Sequence, residues 1–179
     1  NGASLTVANL GKVVNTTITG GNNATSIGYA AAAVVGTADA ATVSLKGTAV
    51  GSSFTTSGVE TLTINSGTSA NNLATLSAVG MTKLVVTGDQ ALTLTGTTGN
   101  SGSSTVVGTT TFDLSAATGA LTLTTANGTG GTGSVVGATV TGPTAATAGA
   151  LNLTTGTLND TITLGAGANT VDAKAGNDT

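Results

Sequence analysis

The stretch Ala91-Leu92-Thr93-Leu94-Thr95 alternates side chains so strictly that leucine falls on one face of an extended chain and Ala or Thr on the other. Alternation with period two, with β-branched residues on the polar face, is typical of a half-buried β-strand. The same pattern recurs in stretches spread along the chain, at residues 42–45, 61–64, 120–124, 150–154 and 161–164. The sequence therefore predicts an all-β protein.

The strands themselves repeat at a nearly constant distance. Leu62, Leu92, Leu121 and Leu151 follow one another at steps of 30, 29 and 30 residues. A period near 29 fits one coil of a parallel β-helix, and self-similarity at such a period indicates a solenoid. We predict an elongated parallel β-helix or β-solenoid-like body over residues 41–156, preceded by an irregular, β-containing opening segment at 1–40. A β-sandwich is the alternative, because its strands also alternate and recur every 8 to 12 residues.

A shorter repeat occupies the last part of the chain. Asp160, Asn169 and Asp178 are nine residues apart, which is the period of the calcium-binding parallel β-roll of RTX type, with consensus G-G-x-G-x-D-x-U-x. Residues 165–171, Gly-Ala-Gly-Ala-Asn-Thr-Val, match this consensus except that Leu164 replaces the first glycine and Asn169 the aspartate. Residues 157–179 are predicted to be the start of such a roll, cut short at the end of the chain.

The residue types in this repeat suit calcium. Glycine reaches left-handed backbone angles and can aim carbonyl oxygens at one point, and calcium takes six to eight oxygen ligands. If successive nine-residue units alternate between two sheets, Asp160 and Asp178 share one edge while Asn169 lies on the other. The predicted calcium-site residues are Asp160, Gly165, Gly167, Asn169, Gly176 and Asp178. The alternative is that Gly, Asn and Asp mark ordinary turns here.

Composition narrows the classes of function. Only 6% of the 179 residues are charged, the net charge is −3, and the four lysines are scattered, so no basic patch indicates a nucleic-acid partner. No apolar run is long enough to predict membrane insertion. The absence of cysteine excludes disulfides and thiolate metal sites, and fits a secreted protein that calcium makes rigid. Because the chain begins without Met and ends inside a repeat, we expect it to be a fragment of a longer protein.

The sequence does not favour an enzyme. It contains no His and no Arg, the residues that most often serve as general base or bind anionic substrates. The remaining carboxylates form no close pair suited to acid and base catalysis, and we expect them to cap turns or face solvent: Asp39, Glu60, Asp89, Asp113 and Asp172.

One motif resembles a known family. Residues 58–64, Gly-Val-Glu-Thr-Leu-Thr-Ile, resemble the G-[VIF]-E-T-[LM]-x-[VI] units of bacterial surface-layer (S-layer) proteins of the Caulobacter type. These proteins carry RTX, or hemolysin-type, calcium repeats and are exported by type I secretion. The resemblance continues in order through residues 83–89, 91–95 and 111–116 to the repeats at 159–178.

This resemblance implies a structural constituent of a calcium-dependent extracellular lattice on the cell surface. It implies Ca²⁺ as the bound ion and self-association into a lattice or filament. Cell-surface polysaccharide is expected as a partner only through a region outside this chain. The alternative function is a spacer module of a secreted RTX adhesin or an extracellular filament subunit.

Overall fold

A computed structural model of the chain describes residues 2, 4–21, 23–94, 111–124 and 137–179. These residues form three sheets in which every strand pairing is parallel. Sheet A consists, in spatial order, of β1 (Ser4–Leu10), β3 (Ala24–Tyr29), β5 (Ser53–Ser57) and β8 (Thr75–Val79). A single 3-10 turn at Ala31–Ala33 is the helical element of the described residues.

The other two sheets are longer. Sheet B consists, in spatial order, of β2 (Thr16–Thr19), β4 (Ala40–Lys46), β6 (Thr61–Gly67), β9 (Lys83–Gly88), β11 (Thr111–Ala117), β13 (Thr139–Thr141) and β15 (Thr161–Thr163). Sheet C consists of β7 (Asn71–Leu73), β10 (Leu92–Leu94), β12 (Leu121–Thr124), β14 (Leu151–Thr154) and β16 (Thr170–Asp172). Each strand of one sheet is followed by a strand of another, so the chain winds as a parallel β-solenoid. The solenoid prediction is confirmed, and the sandwich alternative is wrong because a Greek key requires antiparallel pairs.

The inward residues of neighbouring coils stack in rows. In sheet B, Leu62, Leu84, Phe112 and Val140 lie directly opposite one another, and each is at most 1% exposed. Fully burying a side chain of this size contributes roughly 1.5–3 kcal/mol. The predicted alternation of Leu inward and Thr outward is therefore what fills the core of each coil.

The 29-residue register is correct for only part of the chain. Leu92, Leu121 and Leu151 are direct partners in sheet C, as their spacing predicts. Leu62 does not belong to this row, since it lies in sheet B opposite Leu84, and the residue opposite Leu92 is Asn71. The prediction that Leu62 and Leu92 belong to one row is wrong, because strands of all three sheets have the same alternating pattern and the pattern does not tell them apart. Thr95, from the stretch that reveals this pattern, lies outside the described residues.

The sheets run through both proposed segment boundaries. Strand β3, inside the opening segment 1–40, pairs with β5, and β2 pairs with β4. At the other end β16 pairs with β14, and β15 pairs with β13. The residues on either side of each boundary therefore share hydrogen-bonded sheets.

A buried polar corner marks the start of sheet C. Asn71 is 3% exposed, and its side-chain amide donates to the Ser66 hydroxyl at 2.9 Å and to the Ser69 carbonyl at 2.7 Å. Its side-chain oxygen accepts the backbone N–H of Thr48 at 3.0 Å. Because buried polar groups are costly when unpaired, Asn71 fixes how the chain turns from sheet B into sheet C.

Candidate metal centre

Asp160 and Asp178 come from successive coils and meet at one edge of the solenoid. A carboxylate oxygen of Asp178 accepts the backbone N–H of Asp160 at 2.9 Å, across eighteen residues. Thr179 N–H donates to the Asp160 carbonyl at 2.9 Å, and the Thr179 carbonyl accepts Ile162 N–H at 2.7 Å. This is the bonding pattern of a parallel ladder, with Thr179 opposite Thr161. The eighteen-residue spacing predicts this shared edge; metal binding there stays a prediction.

Asp160 is deeply enclosed. It is 1% exposed, and its Oδ1 accepts the backbone N–H of Ala138 at 2.7 Å. Gly137 makes this approach possible, since a Cβ added there would lie 1.6 Å from the Asn159 carbonyl oxygen and 2.9 Å from Asp160 Oδ1. A buried carboxylate is costly unless donors or a cation compensate its charge. The amide of Ala138 supplies part of that compensation.

A second hydrogen bond between a side chain and a backbone amide lies beside the first, and the sequence analysis does not predict it. The side-chain oxygen of Asn159 accepts the backbone N–H of Asn177 at 2.8 Å, again across eighteen residues. The signal was present as the dipeptide Asn-Asp at 159–160 and again at 177–178. The neutral Asn159 thus performs the same capping of a backbone amide as the charged Asp160 and Asp178.

Oxygen atoms converge at Gly176. This glycine has φ +147°, and a Cβ built on it would lie 2.5 Å from the Leu158 carbonyl oxygen and 2.8 Å from Asp178 Oδ1. A side chain at this position would occupy the space beside these two oxygens. Carbonyl and carboxylate oxygens are the donors that a hard cation requires.

Gly165, Gly167 and Asn169 lie in the turn between β15 and β16, at the opposite end of β15 from Asp160. The Asn169 side-chain amide donates to the Gly165 carbonyl at 3.0 Å, while its buried Oδ1 has no hydrogen-bond partner among the residues that the structure describes. Gly167 has φ +96°, where glycine is strongly favoured. The six predicted site residues therefore divide between two edges, with Asp160, Gly176 and Asp178 on the first.

Most other carboxylates have structural partners. Lys83 Nζ lies 3.1 Å from Asp113, and the Ser115 hydroxyl donates to Asp113 Oδ1 at 2.6 Å. The Ser115 hydrogen bond, followed by that of Lys83, lowers the pKa of Asp113 below its ordinary value. Lys174 pairs with the exposed Asp172. These contacts agree with the expectation that such groups cap turns or face solvent.

Asp39 and Glu60 are neighbours in successive coils. Glu60 Oε2 accepts the backbone N–H of Asp39 at 2.8 Å. The carbonyl of Asp39 in turn accepts the backbone N–H groups of Glu60 and Thr61. Glu60 therefore caps the neighbouring coil in the same manner as the terminal aspartates.

The edge at Asp160 fits calcium in donor type but supplies few protein charges. Asp160 and Asp178 offer carboxylate oxygens and Leu158 a carbonyl, and all of these are hard ligands. Within the described ranges, no three Asp, Glu, His or Cys residues cluster in a way that could hold a metal ion. An ion here would therefore need further turn carbonyls or water to reach six to eight oxygens.

No protein-family model, no curated protein and no solved structure matches this chain. Across the described part of the chain, no helix has both the length and the apolar character required to cross a bilayer.

Proposed function

We propose that this chain is a structural constituent of a calcium-dependent extracellular surface lattice. The observation that carries the proposal is the stacking of Asp178 on Asp160 in successive coils. The backbones of these two residues lie one strand spacing apart, about 4.8 Å, and a cation bound between the carboxylates would relieve the repulsion of their like charges. Calcium is the cation that suits an all-oxygen edge of this kind and is plentiful outside cells.

In this proposal the ion stabilises the terminal coil and, through it, the stack. Asp160, Asp178 and the Leu158 carbonyl would hold the ion, and further turn carbonyls or water would complete its coordination. The ion supplies positive charge that compensates both carboxylates. The chain's own contribution is the ladder from Asp160 to Thr179, which brings the two acidic side chains to one edge.

The remainder of the solenoid supports a structural rather than a catalytic role. The sequence contains no His and no Arg, and its few charges include two local ion pairs, Lys83 with Asp113 and Lys174 with Asp172. Rows of Ser and Thr cover the outward positions, for example Thr111, Thr139 and Thr161. Such a surface suits packing against other copies at the cell surface. Cell-surface polysaccharide would be contacted through a region outside this chain.

Electron microscopy of the purified chain with calcium or with EGTA tests this function. We expect planar arrays in calcium that disperse in EGTA and reform when calcium is restored. Fibres or isolated rods would favour the alternative of an adhesin spacer or filament subunit. Arrays that are indifferent to EGTA would contradict the role of the ion.

A further inference from the structure

The outer face of sheet C is a regular array of small side chains. Its first column of outward residues, in which neighbours are direct partners in successive coils, consists of Thr93, Thr122, Asn152 and Thr170. Thr124 and Thr154 pair in a second column, two residues further along the strands. A register shift occurs in sheet A and in sheet B, but none interrupts the pairings of the five strands of sheet C. The outward residues of sheet C therefore form a two-dimensional grid.

This grid is only weakly polar. An alanine that is at least partly exposed precedes each of the paired leucines Leu92, Leu121 and Leu151. Among the outward residues of the five strands Asp172 alone is charged, and Lys174 pairs with it. Threonine carries a methyl and a hydroxyl group on one branched carbon, which restricts its rotamers. The grid thus combines methyl groups with evenly spaced hydrogen-bonding groups that lose little freedom on binding.

The two repeats of the grid determine which surface can match it. Neighbouring coils are about 4.8 Å apart, and outward residues two positions apart on one strand are separated by about 6.6 Å. The water oxygens on the prism face of hexagonal ice repeat in two dimensions at spacings close to these. We propose that the outer face of sheet C binds the surface of an ice crystal, with Thr122 and Asn152 at the centre of the contact.

The chemistry of this face selects ice over other partners. A single polymer chain repeats along one direction, whereas the grid repeats along two. The three aromatic residues of the chain, on which a sugar ring could stack, all lie outside sheet C, since Tyr29 and Phe54 belong to sheet A and Phe112 to sheet B. Each water molecule of ice can both donate and accept, so the contact pairs the threonine hydroxyls and the Asn152 amide, which are costly to bury unpaired.

Incorporation into growing ice tests this inference. We expect the fluorescently labelled wild-type chain, kept in calcium, to enter a slowly grown ice hemisphere that excludes a labelled globular protein without such a face. Thr122→Lys and Asn152→Lys each place a long charged side chain at the centre of the grid, and each should lower the incorporated fraction at least tenfold. Thr141→Lys is the matched control, because Thr141 is an outward, partly exposed threonine of sheet B. It should be incorporated as wild type is.

The melting temperature of each variant separates a loss of ice binding from a loss of the fold. Asn152 is exposed, so Asn152→Lys is expected to fold. Exclusion of the wild-type chain from ice, or equal incorporation of Asn152→Lys and Thr141→Lys, would overturn the inference. Retention of the wild-type chain on crystalline cellulose or chitin but not in ice would assign the face to a polysaccharide and would also refute it. A chain that enters ice but forms no calcium-dependent arrays would uphold this inference and contradict the proposed function.

Discussion

The carboxylate of Asp178 bonds the backbone amide of Asp160 at 2.9 Å, although the two residues are eighteen positions apart. One coil separates them, and beside them the side-chain oxygen of Asn159 accepts the backbone N–H of Asn177 at 2.8 Å, in the opposite direction between the same two coils. An amide side chain can therefore cap a backbone N–H at this edge as an aspartate does. Only the aspartates also bring negative charge to it.

Replacing Asp178 with Asn separates these two functions. Because Asn159 already caps a neighbouring amide, Asp178→Asn should keep the bond to Asp160 and change the free energy of unfolding in EGTA by less than about 1 kcal/mol. The stabilisation by calcium should be largely lost. Thermal unfolding with and without calcium measures both effects. An unchanged calcium response in the variant would contradict a site at this edge.

Gly165 should not tolerate a side chain. A Cβ at this position would lie 1.6 Å from the Pro143 carbonyl oxygen, which belongs to the neighbouring coil. We expect Gly165→Ala to lower the free energy of unfolding by about 1–3 kcal/mol, the usual cost of overpacking. Gly11→Ala is the control, since nothing lies within 4 Å of its added Cβ. Equal stability of the two variants in urea would show that the coils do not approach so closely.

Asn71 should be the most important polar residue of the body. Asn71→Leu removes the acceptor of Thr48 N–H and the donor to the Ser66 hydroxyl. Leaving the Thr48 N–H buried and unpaired costs about 1–3 kcal/mol, whereas the Ser66 hydroxyl keeps its bond to the Ala91 carbonyl. The exposed Asn152, three coils further along sheet C, is the control, and Asn152→Leu should cost under about 0.5 kcal/mol. Chemical denaturation of both variants would show whether the corner has this importance.

Asp113 should give the body a small acid sensitivity. Its pKa is lowered in the folded state by Ser115 and Lys83, so its contribution to stability is present above the unfolded pKa of about 4 and is lost as pH falls below that value. Both side chains of the ion pair are partly exposed, which limits the effect to under about 1 kcal/mol. Asp113→Asn should remove this contribution, so the melting temperature of the variant should decline less steeply than that of wild type between pH 5 and 3. A wild-type slope in the variant would assign the acid sensitivity to other groups.

The sequence was most informative where periodicity and chemistry agree. The spacing of Leu121 and Leu151 predicts their direct pairing in sheet C, and the spacing of Asp160 and Asp178 predicts their shared edge. The assignment of Leu62 failed because alternation reports which face is buried and not which of three sheets a strand joins. The role of Asn71 depends on contacts between coils, which residue order alone does not encode.

Hydrogen exchange at residues 157–179, measured in calcium and in EGTA, tests most directly whether an ion completes the terminal coil. We predict that calcium slows exchange of the Asp160, Ile162 and Thr179 amides at least tenfold and leaves the central amides of β6 unchanged. The same rates in both buffers would mean that hydrogen bonds alone hold this edge, and calcium would have no part in the fold.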